Sequence, residues 1–189
     1  MSDATDLVAA SKAVESARGF ADRSPDRTRT REVVWQDPLE TAATGMRMSG
    51  LDFIRAIQSG EIPAPPMAVL MNFAIAWVEE GRAVFEGDPG EEHYNPIGVV
   101  HGGYASTILD SALGCAVHTT LPAGVGYTSQ TLEVKYLRPI TADTSVVRCE
   151  AEVVHRGRKT ATSDAKLIVK ESGKLLATGT STCLIIGMD

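Results

Sequence analysis

Apolar residues recur with a helical period in one long stretch of the chain, from Gly103 to about Thr119. The stretch contains no proline, and its apolar residues fall on one arc of a helical wheel. These residues are Ala105, Ile108, Leu109, Ala112, Leu113, Ala116 and Val117. The opposite arc is small and polar, and it holds Gly103, Thr107, Asp110, Ser111, Gly114 and His118. The pattern predicts a helix with one buried face and one face that a backbone or a ligand can approach closely.

Strand-like patterns stand on both sides of this helix. Before it, Met67 to Glu80 is predicted as an apolar strand or strand pair, with Arg82 to Glu86 as the hairpin partner. After it, the predicted strands cover residues 127–137, 144–155, 160–170 and 175–186. A long helix within a run of strands predicts an α+β fold, in which an antiparallel sheet wraps around one central helix.

The first strand after the helix alternates between two sets of residues. One face is predicted to carry Leu132, Val134 and Tyr136, and the other Ser129, Thr131, Glu133 and Lys135.

The N-terminal part of the chain is predicted to be an extension of the main domain. Residues 1–48 are interpreted as mobile because most of them are polar or charged, with a weak amphipathic helix around residues 7–14 and an extended piece at 33–35. The main domain is predicted to span 49–189, with a core at 67–187. A short helix at 49–60 begins with Ser49 as N-cap and ends at Gly60.

Composition narrows the class of protein. The 189 residues suffice for one domain plus extensions, and the net charge of −6 argues against non-specific nucleic-acid binding. The three cysteines, Cys115, Cys149 and Cys183, form no Cys-x-x-Cys pair, so neither a zinc site nor a disulfide framework is expected. There is no apolar leader and no apolar run that could span a bilayer, so we expect a cytoplasmic protein with no membrane partner.

The segment that leads into the long helix carries the candidate chemistry. A helix that begins at Gly102-Gly103 presents unpaired backbone N–H groups and the positive end of its dipole. About two turns further on, Asp110 emerges on the same side. Hydrolysis of an acyl group needs such a pair, a group that stabilises the carbonyl oxygen and a carboxylate nearby. Taken singly, the glycines could be only a turn and Asp110 only a solvated charge.

The run Asn95-x-x-Gly98-x-x-His101-Gly-Gly followed by Asp110 resembles the motif of the hotdog-fold acyl-CoA thioesterases of the phenylacetate-pathway (PaaI-type) group. The similarity runs from about Met67 to Ile186. It implies a hotdog fold that hydrolyses an aromatic or medium-chain acyl-CoA to the free acid and coenzyme A. It further implies a homodimer with shared active sites, commonly paired again into a homotetramer, and no cofactor besides the coenzyme A of the substrate.

The resemblance also assigns roles to residues. It implies that Asp110 is the nucleophile or general base, and that the N–H of Gly102 or Gly103 polarises the thioester oxygen. His101 and Asn95 would orient the thioester or water. A hydroxyl from the partner subunit, Ser129 or the neighbouring Thr128, would help to hold the water.

The sequence also contains a cationic turn, and simpler interpretations are open for this turn and for the site residues. The turn formed by Arg156, Gly157, Arg158 and Lys159 would lie near the coenzyme A phosphates. Alternatively, this turn is merely solvated, His101 only caps the helix, Asn95 only stabilises a turn, and Ser129 is an ordinary strand residue. Likewise, the helix at 49–60 either covers an apolar surface or closes an acyl pocket.

Two other functions compete with hydrolysis. Hotdog enoyl-thioester hydratases resemble one another in an Asp-x-Asn-Pro-aliphatic-His run, but here Asn95-Pro96-Ile97 is followed by Gly98. Tyr94 precedes that run, where no carboxylate is available. A non-catalytic acyl-CoA-binding module is the second alternative. Asp110 argues against it, and no DNA-binding helix pair or basic segment accompanies the domain.

Overall fold

A computed structural model describes residues 28–187 of the chain. Its helices are α1 (Pro38–Gly45), α2 (Gly50–Ser59), α3 (Pro66–Leu70) and α4 (Gly102–His118), with a short 3-10 turn at Glu91–His93. Its strands are β1 (Phe73–Glu79), β2 (Arg82–Gly87), β3 (Gly126–Tyr136), β4 (Val147–Arg156), β5 (Thr160–Val169) and β6 (Leu175–Ile186). The amphipathic helix predicted around residues 7–14 lies outside the described residues.

The six strands form one antiparallel sheet in the order β1-β2-β4-β5-β6-β3. Helix α4 packs against this sheet, and its apolar arc supplies the centre of the core. The buried residues of α4 are Tyr104, Ala105, Ile108, Leu109, Ala112, Leu113, Gly114, Ala116 and Val117. The predicted α+β arrangement around one long helix is therefore confirmed. No helix between residues 28 and 187 is both long enough and apolar enough to cross a membrane.

The stretch from Met67 to Asn72 differs from the predicted strand. Residues 67–70 are helical rather than extended, because Pro66 stands at the first position of α3, where its missing N–H costs no helical hydrogen bond. The backbone then turns at Asn72, whose φ is 53°, and β1 begins one residue later.

Part of the predicted extension makes specific hydrogen bonds. Within residues 28–48, α1 begins at Pro38 with the Asp37 carboxylate accepting the Leu39 N–H at 2.8 Å. The Arg31 guanidinium donates to the backbone oxygens of Val69 (2.8 Å) and Leu70 (3.1 Å). Arg31 thus joins this part of the extension to α3, whereas the predicted mobility of the extension and the domain boundary at residue 49 stay predictions.

Strand β3 does not follow the simple alternation that the sequence suggests. Ser129 pairs with Cys183, but Thr131 already pairs with Thr182, so a β-bulge at Gln130 shifts the register. A bulge adds one residue to one strand and re-aims the side chains before it. Ser129 consequently points to the same side as Leu132, toward α4, and the prediction that the two face opposite sides is wrong.

Strand β3 is also an edge of the sheet. It pairs with β6 on one side and with no strand of the described chain on the other. Two of its large apolar side chains, Leu132 (36%) and Tyr136 (57%), are exposed. An edge this long, with exposed apolar residues, favours pairing with another chain.

The helix predicted at 49–60 is confirmed as α2, and its first residue touches the end of α4. Ser49 caps α2 by accepting the Asp52 N–H at 3.2 Å, and Gly60 ends it in the left-handed conformation. The Gly50 N–H donates to the Leu121 carbonyl at 2.9 Å. A side chain on Gly50 would place its Cβ 1.8 Å from the backbone oxygen of His118, so only glycine fits this contact.

We expect Gly50→Ala to lower the free energy of unfolding by about 2–3 kcal/mol, because a backbone carbonyl cannot move aside as a side-chain tip can. Urea unfolding followed by circular dichroism measures the change. Gly126→Ala is the matched control, since a Cβ there meets no atom within 4 Å. Equal stability of the two variants would contradict the proposed contact.

Candidate active site

The loop before α4 is shaped by Asn95. Its Oδ1 accepts the N–H groups of Ile97 (3.1 Å) and Val99 (3.3 Å), and its backbone oxygen accepts the Gly98 N–H at 3.1 Å. Gly98 has a φ of 81°, a conformation that favours glycine. The turn-stabilising interpretation of Asn95 is therefore confirmed. Within residues 28–187 its Nδ2 group makes no hydrogen bond, so the side chain keeps two donors for a ligand or water.

His101 is the N-cap of α4. Its Nδ1 accepts the Gly103 N–H at 2.8 Å, and its own N–H donates to the His93 carbonyl at 2.7 Å. The capping interpretation of His101 is therefore confirmed. Because Nδ1 is an acceptor, the proton of the neutral ring lies on Nε2, which remains a donor.

This cap decides which backbone N–H is available at the helix N-terminus. The Gly103 N–H is used by His101, whereas the Gly102 N–H makes no hydrogen bond within residues 28–187. Of the two glycines that the sequence offers, Gly102 is thus the one that can donate to an oxygen of a ligand.

Asp110 and Ser129 meet within one chain. The Ser129 Oγ–H donates to Asp110 Oδ1 at 2.9 Å, and the bulge at Gln130 aims Ser129 at the helix. We expected the hydroxyl beside Asp110 to belong to the partner subunit. That expectation is wrong, because Ser129 of the same chain makes this hydrogen bond. Thr128 pairs with Leu184 one position earlier in β3, and no hydrogen bond joins it to Asp110.

The Gly102 N–H and Asp110 are far apart within one chain. Gly102 and Asp110 are separated by eight residues, and a rise of about 1.5 Å per residue puts them about 12 Å apart along the helix axis. An oxygen bound to the Gly102 N–H lies within about 3 Å of that nitrogen, and its carbonyl carbon must come within about 3.5 Å of the attacking group. A single copy of α4 therefore cannot bring both groups to the same carbonyl.

A cavity of about 360 Å³ opens beside the Gly102 N–H, and its walls are mostly apolar. It is lined by Val100, His101, Gly102, Ala105, Tyr136, Leu137, Arg138, Pro139 and Ile140. The sequence reasoning did not identify Tyr136 as part of this site. The signal was available in the alternation of β3, which placed Tyr136 on the side that faces the helix.

The cationic turn lies at the end of the sheet that holds Ser129. Thr160, at the start of β5, pairs with Leu184 of β6, which pairs with Thr128 of β3. Two strand spacings amount to about 10 Å, so the turn at 157–159 is close to the Ser129 end of β3 but does not contact Asp110. Arg156, Arg158 and Lys159 are exposed, and Gly157 closes the turn by donating to the Thr160 carbonyl at 2.8 Å.

His93 stabilises the segment that leads into α4. Its Nδ1 accepts the Gly90 N–H at 3.0 Å, and its ring packs against the Tyr104 ring with 4.7 Å between the centroids. Burial lowers the pKa of His93, an effect that the neighbouring Glu92 partly opposes. His93 therefore favours its neutral form, in which Nδ1 can accept.

Other chemistry is not built into the described residues. No group of three or more His, Cys, Asp or Glu side chains within residues 28–187 is arranged to hold a metal ion. Burial raises the pKa of Cys115 to about 12 and also raises the pKa values of Cys149 and Cys183. None of the three thiols is thus activated as a nucleophile.

Comparison with known proteins shows the family of this chain. Residues 97–176 match the thioesterase superfamily. Human acyl-coenzyme A thioesterase 13 is 30% identical over 114 residues, which cover 60% of this chain and 80% of that protein. The chain belongs to the thioesterase superfamily. It is a thioester hydrolase with the hotdog fold, so the predicted family, fold and enzyme class are confirmed.

Solved structures of this superfamily extend the likeness. A phenylacetic acid degradation-related protein of Ralstonia eutropha is 29% identical with a TM-score of 0.63, and the match covers 69% of this chain and 98% of that one. A thioesterase protein of Streptococcus pneumoniae, solved with coenzyme A, is 26% identical with a TM-score of 0.56. That match covers 62% of this chain and 88% of the other.

We expect the folded chain to lose stability as the pH falls below about 6.5. In the unfolded chain His93 takes up a proton with its ordinary pKa near 6.5, whereas the folded state, with its lowered pKa, resists protonation. The stability is therefore fully present above pH 6.5 and is lost as the pH falls from there toward the lowered pKa of the folded state. Thermal unfolding between pH 7.5 and 5 measures the loss.

The comparison variant for this pH series is His93→Asn, which keeps an acceptor near the Gly90 N–H and does not titrate. Its loss of stability between pH 7.5 and 5 should be smaller than that of the native chain. His118, whose pKa is also lowered by burial, contributes the same amount to both. An unchanged pH dependence in His93→Asn would contradict the assigned role.

Proposed function

We propose that this thioesterase hydrolyses an aromatic or medium-chain acyl-CoA, with Asp110 as the nucleophile or general base and the Gly102 N–H as the donor to the thioester oxygen. The observation that carries the proposal is the hydrogen bond of 2.9 Å between Ser129 Oγ and Asp110 Oδ1. It fixes a carboxylate on the half-buried, small-residue face of α4, the face that a ligand can approach.

The reaction needs only these groups and water. As the thioester carbon is attacked, negative charge develops on its oxygen, and the Gly102 N–H at the positive end of α4 stabilises that charge. Asp110 either takes a proton from water as the water attacks, or attacks the carbon itself and leaves an anhydride for water to cleave. In both routes the carbon–sulfur bond breaks, the thiolate of coenzyme A leaves, and the acid is released.

The remaining side chains have orienting roles in this proposal. Ser129 occupies one carboxylate oxygen of Asp110 and thereby aims the other at water or substrate. Asn95 keeps its Nδ2 donors, and His101 keeps Nε2–H, beside the entrance to α4. Both can donate hydrogen bonds to the thioester or to the attacking water.

Each site is proposed to combine two copies of the chain. Gly102 packs against Tyr136 at the C-terminal end of β3, whereas Asp110 is bonded to Ser129 near the N-terminal end. Antiparallel pairing of two β3 edges puts the C-terminal end of one strand beside the N-terminal end of the other. Gly102 of one copy then faces Asp110 of the second. This pairing is needed because about 12 Å separates the two groups along α4 of a single chain. Pairing of dimers into a tetramer stays a prediction.

The cationic turn is proposed to bind the phosphates of coenzyme A. Its exposed Arg158 and Lys159 add positive charge at the Ser129 end of the sheet in a chain whose net charge is −6. Guanidinium and ammonium groups bind phosphate oxygens through charge-assisted hydrogen bonds. The neighbouring Thr128 is a further candidate contact.

We expect Asp110→Asn to lower kcat for acyl-CoA hydrolysis at least about a hundredfold, because an amide can neither accept a proton nor attack as a carboxylate does. Thiol release from a panel of aromatic and straight-chain acyl-CoAs measures the loss and names the preferred acyl group.

Asp164→Asn is the matched control for this substitution. Asp164 Oδ1 accepts a hydrogen bond of 2.8 Å from the Thr180 hydroxyl. This pair has the same carboxylate–hydroxyl chemistry as Asp110 and Ser129, but it lies on an exposed part of the sheet. Its activity should equal that of the native chain. If Asp110→Asn kept native turnover, Asp110 would have no catalytic role. If neither the native chain nor Asp110→Asn turned over any acyl-CoA, yet both bound it tightly, the protein would be a binding module.

Gly102→Pro should lower kcat about a hundredfold or more, the usual effect of removing one donor to a developing oxyanion. Proline removes the N–H and adds a ring whose Cβ lies against Tyr136, and it suits the first position of a helix. The preceding residue, His101, has φ −60° and ψ 137°, which a following proline permits. Gly102→Ala keeps the N–H while adding a Cβ against Tyr136, so it separates the two effects. Equal activity of the proline and alanine variants would overturn the role of this N–H.

A further inference from the structure

One pair of hydroxyl groups at the proposed site is not used by the proposed chemistry. Ser106 Oγ on α4 and Tyr136 Oη on β3 lie 2.5 Å apart, 30 residues apart in the chain. The next residue of the helix, Thr107, instead donates to the carbonyl four residues earlier, at 2.7 Å, which is the ordinary local bond of a hydroxyl in a helix. Ser106 thus makes a tertiary hydrogen bond where a local one was available.

This hydrogen bond holds the Tyr136 ring across the start of the helix. A Cβ on Gly102 would lie 3.2 Å from Cζ and 3.3 Å from Cε1 of the ring, so the ring already fills the space that Gly102 leaves open. The ligand must therefore approach the Gly102 N–H past the ring.

The ring is also a wall of the 360 Å³ cavity beside this N–H. The volume lies at the small end of the range for ligand pockets, about 300–1,000 Å³. Val100, Ala105, Leu137 and Ile140 make the neighbouring walls apolar. Tyr136 is 57% exposed in a single chain, and within that chain the bond to Ser106 and the contact with Gly102 are what hold its ring in place.

We propose that the Ser106–Tyr136 hydroxyl pair determines acyl-group selectivity, by fixing the ring that limits the width of the cavity next to the Gly102 N–H. The inference rests on the proposed function, because it takes the group beside that N–H to be the acyl part of a thioester. With the ring fixed, the cavity favours a narrow, straight acyl chain. When the ring is released, it can turn aside and admit a wider, aromatic acyl group.

Two conservative variants test this role from opposite ends of the hydrogen bond. Tyr136→Phe keeps the ring and removes its hydroxyl, whereas Ser106→Ala keeps Tyr136 and removes its partner. Each should raise the ratio of kcat/KM for an aromatic acyl-CoA to that for a straight-chain acyl-CoA about three- to tenfold, as expected for the loss of one hydrogen bond. The double variant should shift the ratio no further than either single one, because both remove the same bond.

Thr180→Val is the control, since it removes an exposed hydroxyl bonded to Asp164 and should leave the ratio unchanged. An unchanged ratio in both Tyr136→Phe and Ser106→Ala would overturn the proposal. A purely structural role would lower the melting temperature and scale kcat/KM equally for both substrates, which also overturns it. Additive shifts in the double variant would show that the two hydroxyls act separately and would overturn the pair.

Affinity for stable thioether analogues of the same two acyl-CoAs, measured by calorimetry, separates this inference from the proposed function. If the native chain hydrolysed neither substrate but the affinity ratio shifted in both variants, the proposed activity would fail and the role of the pair would stand. If turnover were normal and neither ratio shifted, the activity would stand and the role of the pair would fail.

Discussion

The length of α4 between its first amide and its aspartate is the constraint on which the site depends. About 12 Å of helix separates the Gly102 N–H from Asp110, more than one thioester carbonyl can bridge. At the same time, the two groups are held near opposite ends of the edge strand β3, through Tyr136 and Ser129. A second copy of the chain, paired through β3, is the simplest way to bring an amide and a carboxylate together.

Local hydrogen bonds then decide which atoms remain free for chemistry. The ring of His101 accepts the Gly103 N–H, so the Gly102 N–H stays free. The side-chain oxygen of Asn95 accepts hydrogen bonds from the loop, whereas its Nδ2 donors stay free. Ser129 occupies one oxygen of Asp110. The residues of the motif thus hold one another in place. The groups left over are the Gly102 N–H, the donors of Asn95 and His101, and one carboxylate oxygen, and they match what thioester hydrolysis requires.

Much of this could be predicted from the sequence, because helical and strand periods are local properties. The period of 3.6 located α4, and the alternation of β3 placed Tyr136 on one face with Leu132 and Val134, although it did not show that this face meets the helix. The bulge at Gln130 has no such signature, since it is set by pairing with β6, and it reversed the side on which Ser129 lies. Pro66 similarly began a helix where an apolar run resembled a strand. The separation of Gly102 from Asp110 follows from their spacing of eight residues, whereas the use of a second chain to bridge it depends on the edge position of β3.

The most direct test of a site shared between two chains is complementation between inactive variants. Gly102→Pro and Asp110→Asn chains are unfolded together in equal amounts, refolded, and assayed for thiol release. A mixed dimer contains one site with an intact Gly102 from one chain and an intact Asp110 from the other, so random pairing should restore about a quarter of the native activity. If each site lay within a single chain, the mixture would remain as inactive as the separate variants, and the account would be contradicted.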